Sequence, residues 1–274
     1  MPSLKPLPQE LIDKVIDELG EVYWDVSNKK HPDNRIVAQK TLHACTLVSK
    51  NWTGRSRMHL FKEVKIRADD FGVFPIPPGP LMLYVTKLRI QMRSERYRLF
   101  PSPKLLKPFH TAPITHLGIV AGALASSQAC LVECIVALSA TLRTVTFASC
   151  SLSPDLILDI VLKHPDLKRL FLRCCEVKPT YPNNYAEPPL GTHFTDLELG
   201  IFSAVGVRGQ DLTVTAVAQL PIHFSKLDFD YMHGLQMTRS SNALIRANAE
   251  SLSSLTVHII NCTSRMLTKK DYYH

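Results

Sequence analysis

Between residues 142 and 177 the chain spells one eleven-residue pattern twice. Leu142, Val145, Phe147, Cys150 and Leu152 occupy the same places as Leu167, Leu170, Leu172, Cys175 and Val177, with the copies starting 25 residues apart. The alternate apolar residues in the middle of each copy describe a short strand with one inward side. Residues 153–163, between the copies, carry a helix start: Ser153 as cap, Pro154 in the first position and Asp155 as a first-turn acid. A single strand-plus-helix unit of this size cannot enclose a core. The repetition therefore requires a stack of such units, each burying its neighbour's apolar side.

The same frame recurs at Phe61/Val64/Ile66, Val85/Leu88/Ile90, Ile114/Leu117/Ile119, Phe194/Leu197/Leu199, Phe224/Leu227/Phe229 and Leu252/Leu255/Val257. Counted at the middle residue, the steps from 64 to 255 are 24, 29, 28, 25, 27, 30 and 28 residues. This pattern resembles the leucine-rich repeat. The expected fold is α/β: a solenoid of about eight strand units over residues 61–274, with a curved parallel sheet on the concave face and helices and loops on the convex one. Residues 128–138 have helix spacing, Asp211 is placed to cap a helix with Val214, Val217 and Leu220, and Ser241 one with Leu244 and Ala247. Residues 71–80, 101–113 and 179–189 read as loops.

The first 60 residues have a different period. Leu11, Ile12, Val15, Ile16 and Leu19 share one helical face behind Pro8, and a polar stretch over 20–34 containing His31-Pro32 reads as a loop. A second helix over about 35–48 presents Val37, Leu42, Ala44, Cys45, Leu47 and Val48, and Ser49 is placed to cap a third through Trp52 toward Leu60. Leu7-Pro8-x-Glu10-Leu11-Ile12, then Leu42-x-Ala44-Cys45-x-Leu47-Val48-Ser49-Lys50-x-Trp52 and the exit to Leu60-Phe61, resembles an F-box, in particular the F-box-like domains common in mushroom-type fungi. The resemblance implies a helical domain over 1–60 that docks on the adaptor subunit of an SCF-type cullin ubiquitin ligase, while the repeats bind the target protein. Its adaptor contacts would fall on Leu7, Pro8, Leu11, Ile12, Ile16, Leu42, Leu47 and Val48, some of which must build the local core. The alternative is a three-helix cap on a repeat scaffold that binds protein or nucleic acid without any ligase.

Charge and composition narrow the partners. Net charge is +8, and residues 1–110 hold 19 Lys+Arg against 11 Asp+Glu, leaving 13 against 13 of the totals 32 and 24. No helix in the first 60 residues is dense in Arg or Asn, which argues against nucleic acid as the ligand. There is no apolar run of about eighteen residues and no signal-peptide succession, so no membrane partner is expected and the location reads as cytoplasmic or nuclear. Seven cysteines without a C-x-x-C pair read as reduced thiols. No nucleophile elbow, phosphate loop or His-Glu-x-x-His pair is present, so the chain is expected to be non-catalytic, with no cofactor and no metal.

By the two-residue period, the positions beside the inward pairs project from the concave face. They are Glu63, Lys65 and Arg67; Lys87 and Arg89; His116; Thr144 and Thr146; Arg169, Phe171 and Arg173; Asp196 and Glu198; Lys226, Asp228 and Asp230; Thr256 and His258. The early positions are mainly basic and the later ones mainly acidic, with Phe171 as an apolar anchor. A target of opposite polarity is expected there. The carboxylate pairs Asp196/Glu198 and Asp228/Asp230 fit protein recognition more simply than acid–base chemistry.

Overall fold

Helix α1 (Gln9–Trp24) begins where the Leu11 and Ile12 N–H groups reach the Pro8 carbonyl. It is followed by α2 (Pro32–Val48) and α3 (Lys50–Leu60). Proline at the first position of α2 suits a site whose N–H has no intrahelical partner, and the Ser49 hydroxyl caps α3 by accepting from Asn51 N–H at 3.2 Å. In this computed structural model, residues 7–24, 32–67, 79–91, 106–120, 135, 138, 141–177, 197–202, 207–232 and 239–260 are described. All but the last two residues of the loop expected over 71–80, the loop expected over 179–189, most of the helix expected over 128–138, and Asp196 lie outside them; Gly79 and Pro80, read as loop, begin a 3-10 turn.

The loop expected over 20–34 is shorter than its polar composition implies, because α1 continues to Trp24 and α2 starts at Pro32. Gly20 does not end the helix. A Cβ at that position would overlap the His59 ring, so glycine lets α3 approach α1 closely. Trp24 Nε1 then donates to the His59 carbonyl at 2.8 Å and ties down the added turn.

The chain divides into two compact units, each described by itself. The first comprises Met1–Val64 with Pro75–Lys87 and Thr111–Pro113. It therefore takes in more than residues 1–60, because a 3-10 turn (Gly79–Tyr84) packs on α3 and the Thr86 and Lys87 N–H groups donate to the Lys62 carbonyl. Its core is small: Ile16, Leu42 and Leu60, with Ile12, Leu19, Tyr23, Trp52 and Phe61 packed around them. A polar clamp supplements this core. Arg55 donates through Nε to Asp17 Oδ1 at 2.8 Å and through its Nη2 to Oδ2, and His59 Nε2 lies 2.9 Å from Oδ1. The Arg55 guanidinium hydrogen bond lowers the Asp17 carboxyl to about 2, against its own desolvation.

The second unit comprises Lys65–Phe74, Leu88–His110 and Ile114–His274. Strands β1 (Glu63–Arg67), β2 (Lys87–Gln91), β3 (His116–Val120), β4 (Thr144–Ala148), β6 (Arg169–Arg173), β8 (Glu198–Phe202), β9 (Lys226–Met232) and β10 (Ser254–Ile260) form one eight-stranded sheet in that order. Two short strands, β5 (Ser151–Leu152) and β7 (Glu176–Val177), pair separately. Helices α4 (Pro154–Lys163), α5 (Val207–Ala218) and α6 (Arg239–Ala247) connect strands. From β3 to β10 every neighbouring pair in the large sheet is parallel, as strand–helix–strand connections require. Among the described residues no helix is long and apolar enough to cross a membrane.

The doubled pattern accounts for each of its own apolar residues. Leu142, Val145, Phe147, Leu167, Leu170 and Leu172 are at most 3% exposed. Leu152 and Val177, the last positions of the two copies, form the small ladder and are buried as well. Between strand and small ladder the chain turns through Ser149 at φ 55° and Cys174 at φ 51°, left-handed conformations rare outside glycine. The buried Cys150 thiol donates to the Ala148 carbonyl at 3.3 Å, and Cys175 to the Arg173 carbonyl at 3.4 Å. The thiols also meet: the Cys150 hydrogen bond holds Cys175 below its usual range despite burial. The described cysteines Cys45, Cys150, Cys174 and Cys175 are not in disulfides.

Four expectations need correction. Leu199 and Ile201, not Leu197 and Leu199, align with Leu170 and Leu172, so that frame slips by two residues. Leu197 and Leu199 are both apolar and both buried, and nothing local separates the two frames. Helices α5 and α6 begin at Val207 and Arg239, ahead of the expected caps Asp211 and Ser241, which therefore lie within them. Within the segment read as loop over 101–113, Lys107–Thr111 forms a 3-10 turn whose Phe109 is buried, as is Leu106 just before it, so the segment carries core. Leu255, expected inward, is 44% exposed: among the described residues β10 ends the sheet order, with β9 as its one neighbouring strand.

Candidate functional site

Two surfaces carry the residues expected to bind. On the helical unit, the apolar face read from the sequence separates into two. Ile16 and Leu42 are buried in the unit's own core and Ile12 packs against them, so these three expected adaptor contacts are structural. Leu7, Pro8, Leu11, Leu47 and Val48 are exposed, Leu47 at 87% and Leu7 at 66%. The separation follows from helix geometry. Leu11, Val15 and Val22 recur at four and seven residues and form a stripe turned away from the Ile12–Ile16–Leu19 side. In α2, Val37 and Val48 share a second outward stripe, with Ile36 and Leu47 beside it. The sequence reading missed Val15, Val22 and Ile36 as surface residues, although a second apolar stripe beyond what one small core can cover was the available signal.

The second surface is the solvent face of the sheet. Register places Thr144, Arg169, Glu198, Lys226 and Ser254 in one row, and Thr146, Phe171, Gly200, Asp228 and Thr256 in the next. Arg173 pairs with Phe202 beyond them, and Asp230 with His258. A slip of two residues preserves the side on which a strand residue projects. Glu198 therefore remains on this face despite the wrong frame, but the frame hid Gly200 and Phe202, which belong to it. Of Asp230 only the backbone is described.

Two carboxylates on this face have a basic side chain beside them. Arg169 Nε donates to Glu198 Oε2 at 3.1 Å, and His258 Nε2 lies 2.9 Å from Asp228 Oδ1. Of the acidic later half expected from the sequence, Glu198 thus has the Arg169 cation beside it and Asp228 has the His258 ring as a neighbour. Lys87 is half-buried, and Arg89 is exposed with its side chain laid over Gly118. Thr144, expected to project, is buried, in register between the longer His116 and Arg169. No group of three or more metal-ligating side chains occurs among the described residues. No protein-family model and no curated protein matches this chain.

Proposed function

We propose that the chain is a non-catalytic substrate receptor of an SCF-type cullin ubiquitin ligase, in which an F-box-like unit docks on the adaptor and a leucine-rich-repeat solenoid holds the target protein. The observation that carries this reading is the set Leu7, Leu11, Leu47 and Val48. These residues occupy motif positions of the resemblance and stay outside the helical unit's core. Exposed apolar side chains in such number on a unit this small favour a partner, and each contributes about 1.5–3 kcal/mol when fully buried. The solenoid reading draws support from the parallel sheet and its repeated register.

The experiment is co-purification of the full chain with the ligase's adaptor subunit, beside a chain lacking residues 1–50. Capture by the first and not the second is expected. A full chain that never retains the adaptor leaves a repeat scaffold without ligase association.

A further inference from the structure

The solvent face of the sheet carries an aromatic pair, in line with the half-buried Val120 and Ala148 of the neighbouring strands. Phe171 of β6 and Phe202 of β8 stand with ring centroids 6.0 Å apart at 43°, both half-buried. Gly200 makes this possible. It lies opposite Phe171 in the register, and a Cβ there would overlap the Phe171 ring and come within 2.7 Å of the Phe202 ring. Phe171 therefore leans from its own strand across β8, and the two rings form a plate flanked by Thr146 on β4 and Asp228 on β9.

One cation belongs to this plate. The Arg173 guanidinium sits over the Phe202 ring, 5.6 Å from its centroid, and its side chain is exposed. Stacking by one face leaves the in-plane N–H donors of an arginine for an anion, in a fixed fork that suits a carboxylate. The neighbouring charges are differently placed. Arg169 is beside Glu198 and Asp228 beside His258, whereas Arg173 has no carboxylate partner among the described residues.

We propose that this plate is the specificity site for the target: it takes an extended protein segment in which a large apolar side chain stands one or two residues from an Asp or Glu. The apolar group packs on Phe171 and Phe202, and the carboxylate meets Arg173. Extended chain advances about 3.3 Å per residue, so that spacing matches the distance between ring and guanidinium. The proposal rests on the sheet face being the capture surface and is independent of ligase docking. It does not call on the basic group that the sequence pattern predicts in the target opposite the acidic later strands of the sheet.

Two other occupants fit less well. Single-stranded nucleic acid would stack on the rings, but one arginine offers little to a phosphate backbone whose binding is built from several contacts. A second copy docked symmetrically through this plate would bring two Arg173 side chains together near the axis.

The test uses the full chain and an immobilised positional-scanning library of ten-residue peptides. Recovered peptides are expected to pair Phe, Tyr, Trp or Leu with Asp or Glu within two residues. A peptide synthesised from that consensus should bind Arg173→Glu and Phe202→Ala about tenfold or more weakly, and should also bind Gly200→Ala less well because the added methyl displaces the rings. Arg246→Glu, an exposed change on α6, should bind as the parent does. Arg173 is exposed, so its variant tests the site even if Phe202→Ala folds poorly. The proposal is overturned by basic or purely apolar consensus peptides, by no enrichment over Arg173→Glu, by a twelve-residue oligothymidylate that binds as well as the peptide, or by a parent dimer that Phe202→Ala dissociates. Adaptor capture on the same preparations separates the two readings. Loss of peptide selectivity with adaptor binding intact rejects this site alone, and the converse rejects the ligase reading alone.

Discussion

The helical unit and the sheet unit use their apolar residues in opposite ways. In the sheet, the middle positions from Leu88 to Phe229 are buried almost without remainder, and among the described residues of this unit Leu255 on the last strand is the large apolar side chain that is strongly exposed. In the helical unit a core cluster of Ile16, Leu42 and Leu60 coexists with exposed Leu7, Leu11, Val15, Ile36, Val37, Leu47 and Val48. The difference lies in architecture. A repeat strand has a neighbour on each side and a helix or turn behind it, so every inward position finds cover. Three short helices enclose only one stripe each, and apolar residues on a second stripe are either a defect or a docking surface. The unit also has polar ties between its helices, Asp17 to Arg55 and His59 and Trp24 to the His59 carbonyl.

The largest effect expected from this contrast is in the sheet. Leu170→Ala removes a fully buried side chain from a central strand and should cost about 2–5 kcal/mol in denaturant unfolding. A Leu170→Ala chain as stable as the parent would mean that the sheet's cover is not continuous. Next is Gly20→Ala, where the added methyl meets the His59 ring held by Asp17. It should lower helical-unit stability by roughly 1–3 kcal/mol, with part regained in Gly20→Ala/His59→Ala, because the second change removes the clash. No recovery in the double variant would place the strain elsewhere.

Acid should separate the units by the pH at which each weakens. His164, at the end of α4, is 2% exposed and its Nε2 has no hydrogen-bond partner among the described residues. Burial, with Lys163 adding repulsion, pushes it below its ordinary value of 6.5. The folded sheet therefore binds this proton less readily than the unfolded chain. Its contribution is complete above about pH 6.5 and declines as pH falls below that. Asp17 is lowered from 3.8 to about 2, so its contribution is complete above about 3.8 and disappears as pH falls through 2. Melting followed between pH 7.5 and 5 should show a loss that His164→Gln flattens and Asp17→Asn does not. Equal flattening by both variants would contradict this assignment.

The repeats were legible because one frame recurs. Alternation fixed which strand residues face inward at Val145, Phe147, Leu170 and Leu172, and Ser153-Pro154-Asp155 fixed a helix start. The register at β8 was not legible, since Leu197 and Leu199 satisfy the same rule, and Phe202 was hidden with it. The Phe171–Gly200–Phe202 contact depends on which residues lie opposite across strands, which a linear pattern does not state. In the helices the period showed which residues are apolar but not how wide a stripe the neighbours cover. Gly20 read as a stop for the same reason, since its function is a contact with His59, 39 positions later.

The receptor account is tested most directly by titrating the purified ligase adaptor into the full chain and into Leu47→Glu/Val48→Glu, with the melting temperature of each measured alongside. Both residues are exposed and neither belongs to the core cluster, so the double variant should melt as the parent does. Desolvating two carboxylates against an apolar partner surface is costly, and its affinity for the adaptor should fall by about a hundredfold or more. Unchanged affinity in a variant that melts normally, or a parent chain that does not bind the adaptor, would contradict the account.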